Sequence, residues 1–178
     1  MTLLLTLCLV TQGKTSGTGW IETTSKDGTF VFAMPVKAAE KVTTQKTPDG
    51  PIEILEYSGT SGDSLYRIEK TALRVEIPDD KLIGALGASR DSIAGKTRLL
   101  DDKAAIVAGW PARELLVEAP LKPGAAPSKI AMLICYADNN FYQVRVFATR
   151  PGGDPKDVRK FFDAFRPRKA RPKVAAKP

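Results

Sequence analysis

Two hydrophobic periods alternate along the chain. Residues 19–24 and 29–34 are short runs rich in β-branched and aromatic side chains, and the Asp27-Gly28 dipeptide between them is a strong hairpin signal. Pro35 ends the second run, because proline has no amide to donate. Further strands are predicted over 41–47, 52–58 and 65–75, with a turn at Pro48-Asp49-Gly50-Pro51 and a polar loop over 59–64. In the last of these strands Tyr66 and Ile68 share one face. After Pro78 the period lengthens. Leu82, Ile83, Leu86 and Ile93 fall near helical spacing, with Asp79-Asp80 suited to the start and Gly95-Lys96 to the end. Gly84 and Gly87 weaken this helix but would let it pack closely on a sheet. Strand patterning returns over 96–100 and 104–108, around Asp101-Asp102-Lys103, and over 113–119 after Gly109-Trp110-Pro111. A loop over 120–127 precedes the clearest hairpin, 130–137 with 141–149, joined by Asp138-Asn139-Asn140. Asp154-Pro155 then opens a helix whose Val158, Phe161, Phe162 and Phe165 form one apolar stripe, and Pro167 stops it. Strands, helix, strands and helix in that order predict an α+β protein, an antiparallel sheet flanked by helices.

Length adds that 178 residues suffice for one domain, which the pattern places at 18–166. Residues 1–10, MTLLLTLCLV, are an apolar block followed by the polar run 11–17, and this pair reads as a signal peptide and leader. No basic residue precedes that block and it is short for a signal, so its other reading is a first strand. Export to the periplasm or cell envelope is the expectation. Leu7 precedes Cys8 where a lipid-modified cysteine would follow a small residue, so lipidation is not expected. Cys135 lies inside a strand pattern and reads as a buried, inert thiol. No apolar run reaches the roughly 20 residues of a membrane helix.

Charge is unevenly placed. The net charge is +7, yet Arg166, Arg168, Lys169, Arg171, Lys173 and Lys177 lie within the last 13 residues without an acid among them. With those six set aside, 21 basic residues face 20 acidic ones, so the body carries a net charge of only +1. Residues 167–178 are also rich in proline and alanine and have no apolar period, which predicts a disordered basic tail. Its plainest role is a solvated terminus. Its functional role would be contact with an anionic envelope surface through those six side chains. Without interleaved aromatics the run specifies no nucleic acid.

The chain has no histidine, which excludes Ser-His-Asp and Cys-His catalysis, the HExxH metal site and histidine pH switching. Gly95-Lys96-Thr97 resembles the end of a phosphate-binding loop, but Arg90 stands where the first glycine belongs. Gly59-Thr60-Ser61-Gly62-Asp63 misses the nucleophile elbow at its last position. The pairs Asp79-Asp80 and Asp101-Asp102 supply too few convergent oxygens for a cation and fit a helix start and a turn. No cofactor or metal is expected. Trp20 and Trp110 are the candidate walls of a ligand groove, although packing is the commoner role of a partly buried tryptophan.

Three stretches carry a resemblance. Trp20 with Asp27-Gly28-Thr29-Phe30-Val31-Phe32-Ala33-Met34-Pro35, then Gly109-Trp110-Pro111-Ala112-Arg113-Glu114, then Phe161-Phe162-Asp163-Ala164-Phe165-Arg166 are similar to elements of small exported bacterial proteins with a PsbP-like fold. Val36, Ala112 and Ala164 depart from that pattern at loop or helix positions. The resemblance implies an α/β/α sandwich in a superfamily of accessory and binding proteins with no shared catalytic site, so it carries over no site residue. The expected function is a noncatalytic exported binding or accessory domain of the cell envelope, with a protein or an anionic surface as partner. The alternatives are a carboxylate-based hydrolase and a protein that binds anionic surfaces through its tail.

Overall fold

Strand pairing explains most of the alternation. A computed structural model of the chain describes residues 19–48, 50–120, 124–148 and 154–168. Among these described residues ten strands form, in the order β1 (Ile21–Thr24), β2 (Phe30–Met34), β3 (Ala39–Thr47), β4 (Gly50–Ser61), β5 (Ser64–Ala72), β6 (Arg98–Val107), β7 (Trp110–Pro120), β8 (Pro127–Ala137), β9 (Asn140–Ala148) and β10 (Arg166–Pro167). Helix α1 (Leu82–Ala94) follows β5 after a single tight turn at Asp79–Lys81, and α2 (Pro155–Ala164) follows β9. The protein is α+β, built mainly of antiparallel sheet with two helices. Where one sheet was expected there are two: seven strands in the order β3-β4-β5-β9-β8-β7-β6, and three in the order β1-β2-β10.

Side chains on the two faces of the large sheet enter different cores. On β8, Ala131, Leu133 and Cys135 join Tyr57, Tyr66, Ile68, Tyr142, Val144 and Val146 against Trp20, Phe30, Phe32, Phe161 and Phe165. Ile130, Met132 and Ile134 point to the other side, where Leu115, Val117 and Leu86 of α1 meet them. The small sheet is fastened to the large one at its first turn. Asp27 accepts from Ser25 Oγ and Thr29 Oγ1, each at 2.8 Å, and pairs with Lys70 of β5. The Lys26 amide donates to Tyr57 Oη at 2.8 Å, and Tyr57 donates onward to Glu40 at 2.8 Å. Gly28 takes φ 70°, the left-handed conformation that its turn needs.

Several expectations are corrected. The supposed loop over 59–64 is a tight turn at Gly62-Asp63, because β4 and β5 continue almost to its tip. The two short strands around Asp101-Asp102 are one strand, β6, with an irregularity at Leu100, and Asp101 and Asp102 pair in register with Leu116 and Leu115. Trp110 and Pro111 lie inside β7, after a turn in which Ala108 and Gly109 both take positive φ. Ile83 is 69% exposed, so it is not part of the buried face of α1. A Cβ added at Gly84 or Gly87 would meet nothing within 4 Å, so these glycines permit no close approach to the sheet. Pro167, assigned above to the tail, is buried in β10, and the Arg168 amide donates to Thr29 O at 2.8 Å. The small sheet therefore includes Pro167, and Arg168 is bonded to it. Residues 1–18 and 169–178, with the leader, Cys8 and Lys169, Arg171, Lys173 and Lys177, lie outside the described residues.

Candidate functional site

Helix α2 divides its side chains cleanly. Asp154 accepts from the Lys156 amide at 2.8 Å and Pro155 opens the helix, as the capping pattern predicts. Its inward stripe buries Phe161 and Phe162, and Phe165 follows at the cap. The outward positions are Lys156, Arg159, Lys160 and Asp163, which line a shallow depression together with Arg166. Arg159 is fixed there: it bonds Glu114 at 2.5 Å and Asp163 at 2.8 Å, and its guanidinium lies 5.8 Å from the Phe162 ring centre.

Beside this face runs a groove of about 470 Å³ between the end of α2 and the small sheet. Trp20, Val31, Ala33, Ala164 and Pro167 supply its apolar lining. Lys160, Arg166 and Arg168 supply its cations, and Glu22 its one carboxylate. Trp20 is only 5% exposed; its ring meets Tyr66 edge-on at 5.8 Å and Phe161 at 6.5 Å. Lys160 Nζ lies 4.8 Å from the Trp20 ring centre, a cation–π distance. Arg166 and Arg168 are exposed, and among the described residues no carboxylate forms an ion pair with either. Arg168 reaches Thr24 Oγ1 at 3.4 Å.

The groove thus brings together three residues singled out from the sequence: Trp20, Arg166 and Arg168. Trp110 is not among them. It opens β7, the strand next to the β6 edge of the large sheet, and packs, half-buried, on the aromatic core. The sequence reading missed Lys156 and Lys160, although their signal was present as the polar complement of the phenylalanine stripe.

Other candidate chemistry is accounted for by pairing or burial. Asp102 binds Arg113 through both oxygens at 2.8 and 2.6 Å, and Asp101 pairs with Lys103 at 2.7 Å. Burial alone would raise the Asp27 carboxyl, but bonds from Lys70, Ser25 and Thr29 outweigh it and hold it well below the usual carboxylate range. Cys135 is buried, which pushes its thiol up to about 12. Among the described residues no group of three or more acidic or cysteine side chains is placed to hold a metal ion, and no helix is long and apolar enough to cross a membrane.

No family model and no curated protein matches the chain. Among the solved structures similar to it are two with these likenesses. One is the cyanobacterial PsbP of Synechocystis sp. PCC 6803, at 11% identity and TM-score 0.49, covering 87% of this chain and 98% of that one. The other is a protein of unknown function from Pseudomonas aeruginosa, at 13% identity and TM-score 0.42, covering 66% of this chain and 86% of that one.

Proposed function

We propose that the chain is a noncatalytic exported binding domain of the cell envelope, in which the α2 groove and the basic segment after it engage an anionic surface. We read its layering, α1 on one face and α2 with the small sheet on the other, as the PsbP-like α/β/α sandwich. One observation carries the functional reading: Lys160, Arg166 and Arg168 flank a single groove, and the sequence then continues with Lys169, Arg171, Lys173 and Lys177 without an acid. Charges so clustered raise the local concentration of an anionic partner over about a Debye length. The hydrolase alternative lacks comparable support. A general acid needs a carboxyl raised toward neutrality, whereas among the described residues the two carboxyls displaced from their ordinary range, Asp27 and Asp101, are lowered.

The test is co-sedimentation with phosphatidylglycerol vesicles, with phosphatidylcholine vesicles as control. Binding is expected to the anionic vesicles alone, to weaken between low and physiological salt, and to fall at least about tenfold in the Arg166→Glu/Arg168→Glu double variant. Equal binding to both vesicle types, or none to the anionic ones, would overturn the reading.

A further inference from the structure

On the opposite face, α1 reaches β7 and β8 but leaves β9 beside it partly open. Between them lies a cleft of about 400 Å³, a size that suits a small ligand. Its floor is Val117, Ile130 and Met132, all buried, and Phe141 and Phe147 are its aromatic walls. Two cations, Arg145 and Lys96, line it, and no aspartate or glutamate does.

Arg145 makes the cleft more than an apolar hollow. Its guanidinium is largely withdrawn from water and lies 5.6 Å from the Phe147 ring centre. Glu69 on the neighbouring strand holds one terminal nitrogen, while Nε is buried with no hydrogen-bond partner among the described residues. A guanidinium paired with one carboxylate and largely walled off from water attracts an anion in the cleft more strongly than an exposed one would. Lys96, exposed beyond the end of α1, adds a second positive charge at the rim. Glu69 has already neutralised part of Arg145, so a singly charged head suits the site better than a doubly charged phosphate.

We propose that this cleft binds an amphipathic carboxylate, its apolar body over Ile130 and Met132 and its head between Arg145 and Lys96. This site is separate from the α2 groove and does not depend on the function proposed for it.

Dodecanoate, titrated calorimetrically below its micelle threshold, is the probe, with dodecylammonium and acetate as controls. One equivalent of dodecanoate is expected to bind, and neither control. Ser92→Trp, at an exposed position on the rim, should block the cleft without disturbing the core. Lys96→Glu and Arg145→Gln should each weaken binding by about tenfold or more. Arg166→Glu/Arg168→Glu should leave dodecanoate binding unchanged, which separates this site from the groove. Absence of dodecanoate binding, equal affinity for dodecylammonium, or binding untouched by both Ser92→Trp and Lys96→Glu would overturn the proposal, even if Arg145→Gln fails to fold.

Discussion

On one face of the seven-stranded sheet, Tyr57, Tyr66 and Tyr142 meet Trp20, Phe30, Phe32, Phe161 and Phe165 in a continuous aromatic core. On the other, Leu86 and the aliphatic residues of β7 and β8 make a smaller cluster. Beside that cluster the sheet carries charge. Arg67 stands opposite Arg145 across β5 and β9, and Glu69 bridges the two like charges while Glu56 lies 3.5 Å from Arg67. The comparison separates two uses of one sheet. The aromatic face is closed by a helix and a second sheet, so its contribution is stability, and its charged side chains stand on the outer, basic rim. The α1 face is covered only in part, and the arginine and apolar side chains left at its margin form a cleft instead of a core.

The largest effect that would break this comparison is a reversal of the two faces in stability. Phe161 is fully buried and meets Tyr66 edge-on at 5.2 Å, so Phe161→Ala should cost about 3–5 kcal/mol. Leu86→Ala, in the smaller cluster, should cost about 2–3 kcal/mol. Denaturant titration of both variants measures the order. A Leu86 loss equal to or above that of Phe161 would mean that α1, not α2, closes the main core.

The bond between the two sheets is sharper to probe because it titrates. Asp27 has a folded-state pKa below its unfolded value of about 3.9. It therefore contributes stability that is present above that value and is lost as pH falls through the lower, folded one. Asp27→Asn should cost about 1–3 kcal/mol at neutral pH, toward the low end because the carboxylate is partly exposed. That difference from the native chain should shrink steadily as pH falls below about 4. A difference independent of pH would mean that the carboxylate charge does not hold the turn.

A smaller change with the opposite sign concerns α1. Gly84 lies in the helix with open space around its Cα, so Gly84→Ala should stabilise the chain by about 0.5–1 kcal/mol. Loss of stability on that substitution would place the glycine against a neighbour and restore the close packing that the sequence suggests.

What the chain discloses by itself follows the range of the interaction. Local signals are legible: the Asp154-Pro155 cap, the stripe through Phe165, the left-handed pair Asp138 and Asn139 in the β8–β9 turn, and the Asp27-Gly28 turn. Pairings between distant segments are not. Nothing near Arg166-Pro167 announces that these residues close a small sheet beside Val31 and Phe30, so Pro167 reads as a stop signal and no more. Exposed strands fail for a related reason. The polar residues of 59–64 and Asp101-Asp102 look like loops, but backbone pairing with a neighbour carries them into strands. The groove was half legible. Trp20, Arg166 and Arg168 are distinctive residues, yet only the fold sets them beside Lys160 and sends Trp110 elsewhere.

The central claim is that an anionic surface meets this protein on its α2 side. The most direct test is an amide chemical-shift map of the isotopically labelled chain, titrated with bicelles containing phosphatidylglycerol. The account predicts that the perturbed amides gather at Glu22, Lys160, Arg166 and Arg168, with those of β3 and the exposed side of α1 unmoved. Perturbations gathered on β3 or α1, with the groove unmoved, would contradict it.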